Sequence, residues 1–143
     1  MKFVVTGASG FIGSSLVSTL RAQGHDARGL DIAGADITAD IAHPGDWMDL
    51  GDVDVVVHTA AMVGMPSQTE AFWRVNTLGT RHVLDAARDS GAGRFVLLSS
   101  VTVFGNDFPD GVTEAYPTRP TGVPYADTKI AAEHLCLDEH IRS

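Results

Sequence analysis

Three uninterrupted apolar runs punctuate the chain, at Phe3-Val4-Val5, Val55-Val56-Val57 and Phe95-Val96-Leu97-Leu98. Runs of this length without alternation suit parallel strands covered on both faces. They predict a first strand at residues 3–5, a fourth from Val53 to His58 and a fifth from Arg94 to Ser100. Asp26 to Asp31 reads as a second strand after the break at Gly24. Ala35 to Ile41 holds a short third one ending at Asp40-Ile41, before a Pro44-Gly45 break and a short helical piece from Asp46 to Leu50.

Between the strands the period lengthens. A helical pattern opens after the first strand and runs to Gln23. A second spans Ser67 to Ser90, with Phe72, Val75, Gly79, Val83 and Ala86 as its apolar stripe, and Gly91 closes it. A third spans Tyr125 to Arg142, where Ala126, Ile130, Leu137 and Ile141, with Ala131, Leu135 and Cys136 beside them, cover more than one face and call for a second packing partner. Gly105 to Pro124, rich in Gly, Pro, Asp and Thr, reads as a loop over a site. Strands alternating with helices predict an α/β fold with a parallel sheet.

Composition narrows the picture. A chain of 143 residues suits one domain with a sizeable core, and 44% hydrophobic residues is ordinary for a globular protein. No apolar run is long enough for a bilayer, and no basic or apolar leader precedes the first strand, so a cytoplasmic protein is expected. The net charge of −8 and the absence of a Lys/Arg cluster argue against a nucleic-acid surface. Cys136 has no disulfide partner and reads as a core thiol. No cluster of metal-ligand spacing is present.

The densest chemistry lies at Thr6-Gly7-Ala8-Ser9-Gly10-Phe11-Ile12-Gly13, between the first strand and the first helix. Gly7 permits a tight turn, Gly10 clears a side chain from where a pyrophosphate must touch backbone, and Gly13 lets helix and strand pack closely. The N–H groups and dipole of the helix N-terminus supply an anion site. Asp31, at the end of the second strand, can take both adenosine ribose hydroxyls and repel a 2′-phosphate, which favours NAD over NADP; an ordinary turn acid is the lesser alternative. Arg28 keeps NADP open. Asp40 can reach an adenine amino group or simply cap a loop.

At the end of the fourth strand, His58 reads as a packed neutral ring. Ala60 and Ala61 would let a cofactor lie against backbone. Asn76 falls near the buried side of its helix, where its amide needs a partner. Tyr125 and Lys129, four apart on the last helix, share one face, and an ammonium beside a phenol stabilises phenolate for acid–base work.

The ordered set Thr6-Gly7-x-x-Gly10-x-x-Gly13, Asp31, Asp40-Ile41, His58-x-Ala60-Ala61, Asn76, Ser99-Ser100-Val101-Thr102-Val103-Phe104-Gly105 and Tyr125-x-x-x-Lys129 resembles the extended short-chain dehydrogenase/reductase family, within it the NAD-dependent epimerase/dehydratase group. The resemblance implies a doubly wound (Rossmann) sheet with strand order 3-2-1-4-5. It implies NAD held by Gly7, Ser9, Gly10, Phe11, Ile12, Gly13, Asp31, Asp40, Ile41, Thr59, Ala60, Ala61, Asn76, Ser99, Tyr125 and Lys129. Tyr125 would be the general acid/base, and Lys129 would bind the nicotinamide ribose while lowering the Tyr pKa. Ser100 would hydrogen-bond the reacting hydroxyl or carbonyl. Asn76 would orient Lys129, or pack the helix.

The implied reaction is hydride transfer at a carbinol carbon of a small molecule such as a nucleotide sugar, by an epimerase or by a carbonyl reductase or dehydrogenase. Dehydratases of the group carry Thr-Asp-Glu where this chain has Ser100-Val101-Thr102, so the two water-eliminating acids are missing. Phe104 replaces a frequent Tyr. Family members continue well beyond the last helix into a substrate-binding portion, so residues 1–143 match the cofactor half. A non-catalytic NAD-binding module is the rival expectation. The family also implies a homodimer through the two long helices, and an open sheet edge where the chain stops.

Overall fold

The computed structural model describes residues 1–64 and 66–142, except the side chains of Pro66, Ile141 and Arg142. Five parallel strands, β1 (Lys2–Thr6), β2 (Asp26–Asp31), β3 (Ile37–Thr38), β4 (Val55–His58) and β5 (Arg94–Leu97), lie in the order β3-β2-β1-β4-β5. This is the doubly wound order that the sequence resemblance implies. Thr6 pairs in register with Leu30 on one side and His58 on the other. The carboxyl ends of the three central strands therefore stop at one level, and the loops that follow them open along one edge of the sheet.

Helix α1 (Phe11–Ala22) covers one face and α3 (Gly79–Asp89) the other. Side chains alternate across a strand, so neighbouring valines of β1 serve opposite cores. Val5 joins Val17, Leu20 and Ala27. Val4 joins Leu30, Leu50, Val56, Val83 and Ala86. Both valines are wholly buried, as a two-sided central strand requires.

Three expectations need correction. The third strand is only Ile37–Thr38, and Asp40-Ile41 follow it as irregular chain, because the Asp40 carboxylate accepts the Ala42 N–H at 2.9 Å and turns the backbone out of the ladder. β5 stops at Leu97 and is not covered on both faces. Burial alternates along it, and Val96 and Leu98, on one face, are 42% and 41% exposed.

The expected helix from Ser67 to Ser90 is not one regular helix. A 3-10 turn (Pro66–Gln68) leads into α2 (Thr69–Phe72), a π-helical segment (Trp73–Leu78) and then α3. The last helix, α4 (Pro124–Arg142), is continuous. Its Ala126, Ile130 and Ala132 are buried and Leu137 is exposed; the Ile141 side chain lies outside the described residues. Arg81 and Arg88 of α3 bridge Glu139 of α4, each at 3.4 Å, and join the two helices at their distal ends.

Candidate active site

The β1–α1 turn is shaped by its glycines. Gly7 has φ +70°, and a Cβ there would stand 2.7 Å from the Ala60 nitrogen, so the turn lies directly against the loop after β4. A Cβ at Gly13 would stand 2.1 Å from the Gly7 carbonyl oxygen, which is why helix and turn approach as closely as they do. Gly10 caps α1 in extended conformation with no side chain to shield the first turn. Phe11 is almost fully exposed beside it, and Ile12 is half exposed.

A cleft of about 410 Å³ runs along the carboxyl ends of the strands, walled by Gly7, Gly10, Asp31, Asp40, Ile41 and Ala60, with Thr59 and Ala61 continuing the wall. Asp31 is held in place: one carboxylate oxygen accepts the Ser9 N–H at 2.9 Å and the other the Ile32 N–H at 2.7 Å. The Ser9 hydroxyl closes the same corner on the Ala33 carbonyl. Asp40 lines the cleft, and its carboxylate caps its own loop.

Neither nearby guanidinium faces this corner. Arg28 donates to the Leu50 carbonyl. Arg21 donates to the Ala27 carbonyl at 2.9 Å and to Asp36 at 2.6 Å. The Gly29 N–H, foremost, and Arg21 hold the Asp36 carboxyl below its usual range. A glycine cradle that a Cβ would fill, next to a pinned carboxylate and a small-residue wall, fits an extended dinucleotide whose pyrophosphate meets backbone.

At the other end of this edge lie the acid–base candidates. Lys129 is 2% exposed, and its ammonium donates to the Leu98 carbonyl at 2.6 Å. Burial pushes its pKa down. Tyr125, one helical turn earlier, sets its ring edge-on to Phe72 with centroids 6.4 Å apart. Ser100 lies beyond β5 and caps a 3-10 turn (Val101–Phe104), its Oγ 2.9 Å from the Thr102 hydroxyl. Ser99 has a buried hydroxyl oxygen with no partner among the described residues. Ser100, Tyr125 and Lys129 share no hydrogen bond with one another among the described residues. The fold brings them to one edge of the sheet without closing a relay.

Asn76 is buried in the π-helical segment. Its carbonyl oxygen accepts the Met62 N–H at 2.7 Å, and its amide donates to the Met62 carbonyl at 3.1 Å and to the Thr128 hydroxyl at 3.2 Å. It thus clamps the loop after β4 to α4, next to Lys129 but not on it.

His58 is a packed neutral ring, as the sequence suggested, and burial lowers its pKa to about 3, with Lys129 adding to the effect. Its ring nitrogens meet Thr6 Oγ1 at 2.6 Å and Thr80 Oγ1 at 3.0 Å. Thr80, Thr128 and the Met62 backbone were not singled out in the sequence, and Thr6 only as part of the glycine motif. The available signal was Thr80 four residues after Asn76 on an otherwise apolar stripe. Cys136 is a half-buried thiol, pushed up to about 11 by burial.

Comparison with known proteins agrees with the fold. The 3-beta-hydroxysteroid dehydrogenase of Mycolicibacterium neoaurum is 32% identical over 97% of this chain and 43% of its own length. The sterol-4-alpha-carboxylate 3-dehydrogenase (decarboxylating) of Bos taurus is 31% identical over 97% of this chain and 42% of its own. The chain spans less than half the length of these two curated relatives. Among solved structures, MoeE5 in complex with UDP-glucose and NAD superposes with TM-score 0.85 at 35% identity, over 96% of this chain and 48% of that one. The UDP-glucose-4-epimerase of Stenotrophomonas maltophila, solved with NAD and formylated UDP-arabinopyranose, gives TM-score 0.86 at 28% identity, with the same coverage of 96% and 48%. The family model of the NAD dependent epimerase/dehydratase family matches residues 3–140. By fold, by the order of its motifs and by that match, the chain belongs to the NAD-dependent epimerase/dehydratase family.

Proposed function

We propose that the chain carries the cofactor-binding half and the acid–base residues of an NAD-dependent oxidoreductase of epimerase type, acting at a carbinol carbon of a nucleotide sugar. The observation that carries this reading is the buried Lys129 ammonium one turn beyond Tyr125, at the sheet edge that also bears the glycine cradle and Asp31.

When bound, NAD would supply the hydride acceptor and donor. Gly7, Ser9, Gly10, Phe11, Ile12 and Gly13 would hold the pyrophosphate region, and Asp31 the adenosine ribose. Asp40 and Ile41 would face adenine, and Thr59, Ala60 and Ala61 the middle of the molecule. Ser99, Asn76, Tyr125 and Lys129 would surround the nicotinamide end. Tyr125 takes the proton of the substrate hydroxyl and later returns it. The Lys129 ammonium favours the phenolate that this requires, and Ser100 holds the reacting oxygen. Val101 and Thr102 offer no carboxyl groups for eliminating water. Asp31, pinned by the Ser9 N–H, and the diverted Arg21 and Arg28 favour NAD over NADP. A homodimer through the two long helices belongs to the same reading, supported by exposed Trp73, Leu78 and Leu137.

A second reading, simple dehydrogenation of a ring hydroxyl, is favoured by the identity to the mycobacterial hydroxysteroid enzyme. Calorimetric titration with NAD and NADP, followed by assays on UDP-glucose and on a 3β-hydroxysteroid, separates the possibilities. An epimerase recycles its cofactor; a dehydrogenase accumulates NADH in step with product. NAD binding without turnover of either would leave a non-catalytic module, and no binding by the folded chain would overturn the proposal.

A further inference from the structure

The buried polar groups behind the cleft form one continuous chain whose ends fix its direction. Thr6, His58, Asn76 and Thr80 are each at most 1% exposed, so every donor and acceptor they carry has to find a protein partner. At one end the Ala60 N–H can only donate, and it does so to Thr6 Oγ1 at 3.2 Å. At the other end the Asn76 backbone carbonyl can only accept, and the Thr80 hydroxyl donates to it at 2.6 Å. With its single proton spent there, Thr80 Oγ1 accepts from His58 Nε2–H. A neutral ring then leaves Nδ1 bare to accept from the Thr6 hydroxyl. Only one tautomer satisfies all of these bonds.

The chain ends in the π-helical segment Trp73–Leu78, on the Asn76 carbonyl, which takes the hydroxyl of the residue four positions later. From that segment the Asn76 side chain reaches Met62 and Thr128. Thr128 in turn donates to the Pro124 carbonyl at 2.7 Å and lies 3.0 Å from that of Tyr125.

We propose that His58 is a positioning residue: through Thr80 it sets the turn that carries Asn76, and through Asn76 it fixes the first turn of α4, which bears Tyr125 and Lys129, against the loop that walls the cofactor cleft. The inference rests on the proposed function only in calling that turn catalytic.

The test uses the 143-residue chain, with Thr80→Val to remove the bridging hydroxyl, Thr80→Ser to keep it, and nitrogen NMR of the histidine rings in the parent. The parent and T80S hold the proton on His58 Nε2 and exchange the Asn76 side-chain amide slowly. T80V speeds that exchange by at least about tenfold, the factor expected when one buried partner is lost. Where the parent turns over, T80V lowers kcat with KM unmoved, and T80S restores it.

A His58 ring protonated on Nδ1 in the parent overturns the proposal, and this measurement needs no variant to fold. So does a folded T80V with unchanged Asn76 exchange. Absence of turnover in the parent would count against the functional reading alone, because the tautomer and the exchange are read without substrate.

Discussion

The Lys129 ammonium sits 2.6 Å from the carbonyl oxygen of Leu98, so the cation of the site is anchored on backbone at the end of the edge strand. That carbonyl needs a donor whether or not cofactor is bound. Lys129→Met keeps the packing of the stem and removes the charge. Turnover should fall by about 10²-fold or more, the scale of an acid–base contribution. Burial also gives the sign of a stability effect: the folded-state pKa is depressed below 10.5, so stability rises as pH climbs through it toward the unfolded value. K129M should lose that alkaline rise in urea titrations, and a variant that retains it would contradict the assignment.

Tyr125→Phe preserves the ring that meets Phe72 edge-on and removes only the hydroxyl. NAD affinity by calorimetry should change little while hydride transfer, followed as NADH absorbance, disappears. Unchanged turnover would remove Tyr125 from the acid–base role.

His58 should make the fold acid-sensitive. Its pKa is lowered from 6.5 to about 3, so below pH 6.5 the unfolded chain takes up a proton that the native state refuses. Stability contributed by the neutral ring is therefore complete above about pH 6.5 and is lost as pH falls toward 3, at up to about 1.4 kcal/mol per pH unit. In H58Q this proton uptake is gone, so the stability gap between parent and variant should narrow as the solution is acidified. Parallel curves would mean that His58 titrates alike in both states.

Gly13→Ala drives a methyl group to within 2.1 Å of the Gly7 carbonyl. Backbone has to move to admit it, and overpacking of this kind destabilises by about 1–3 kcal/mol. The urea midpoint should drop and NAD affinity should fall with it, since the same shift deforms the turn. A midpoint within error of the parent would mean that the two segments separate freely.

The sequence pattern located β1, β4 and the glycine turn because each is a local signal: a run of valines buried on both faces, or a spacing set by steric contact. The strand order was legible only through the likeness of the ordered motifs. The π-helical segment Trp73–Leu78 was not legible, because the apolar stripe from Phe72 to Ala86 reads as continuous across it, and Met62 and Thr128, the partners of the Asn76 side chain, come from distant parts of the chain. Val96 and Leu98 misled for a related reason. Apolarity identifies a strand but not which of its faces the rest of the sheet leaves bare. Asp40 shows the opposite case, a residue with two competing local readings of which the loop cap is the one seen directly.

The widened turn from Trp73 to Leu78 also governs how this part of the chain can change its length. Each residue advances an α-helix by about 100°, so a turn that absorbs an extra residue resets the phase between the segments on either side. Phe72, ahead of it, meets Tyr125 of α4, whereas Val83 and Ala86, behind it, meet the sheet. Losing one residue here would keep every following side chain and yet aim the leading segment somewhere else. Tolerance to single-residue insertion or deletion, normally a privilege of loops, is thus withdrawn from this stretch.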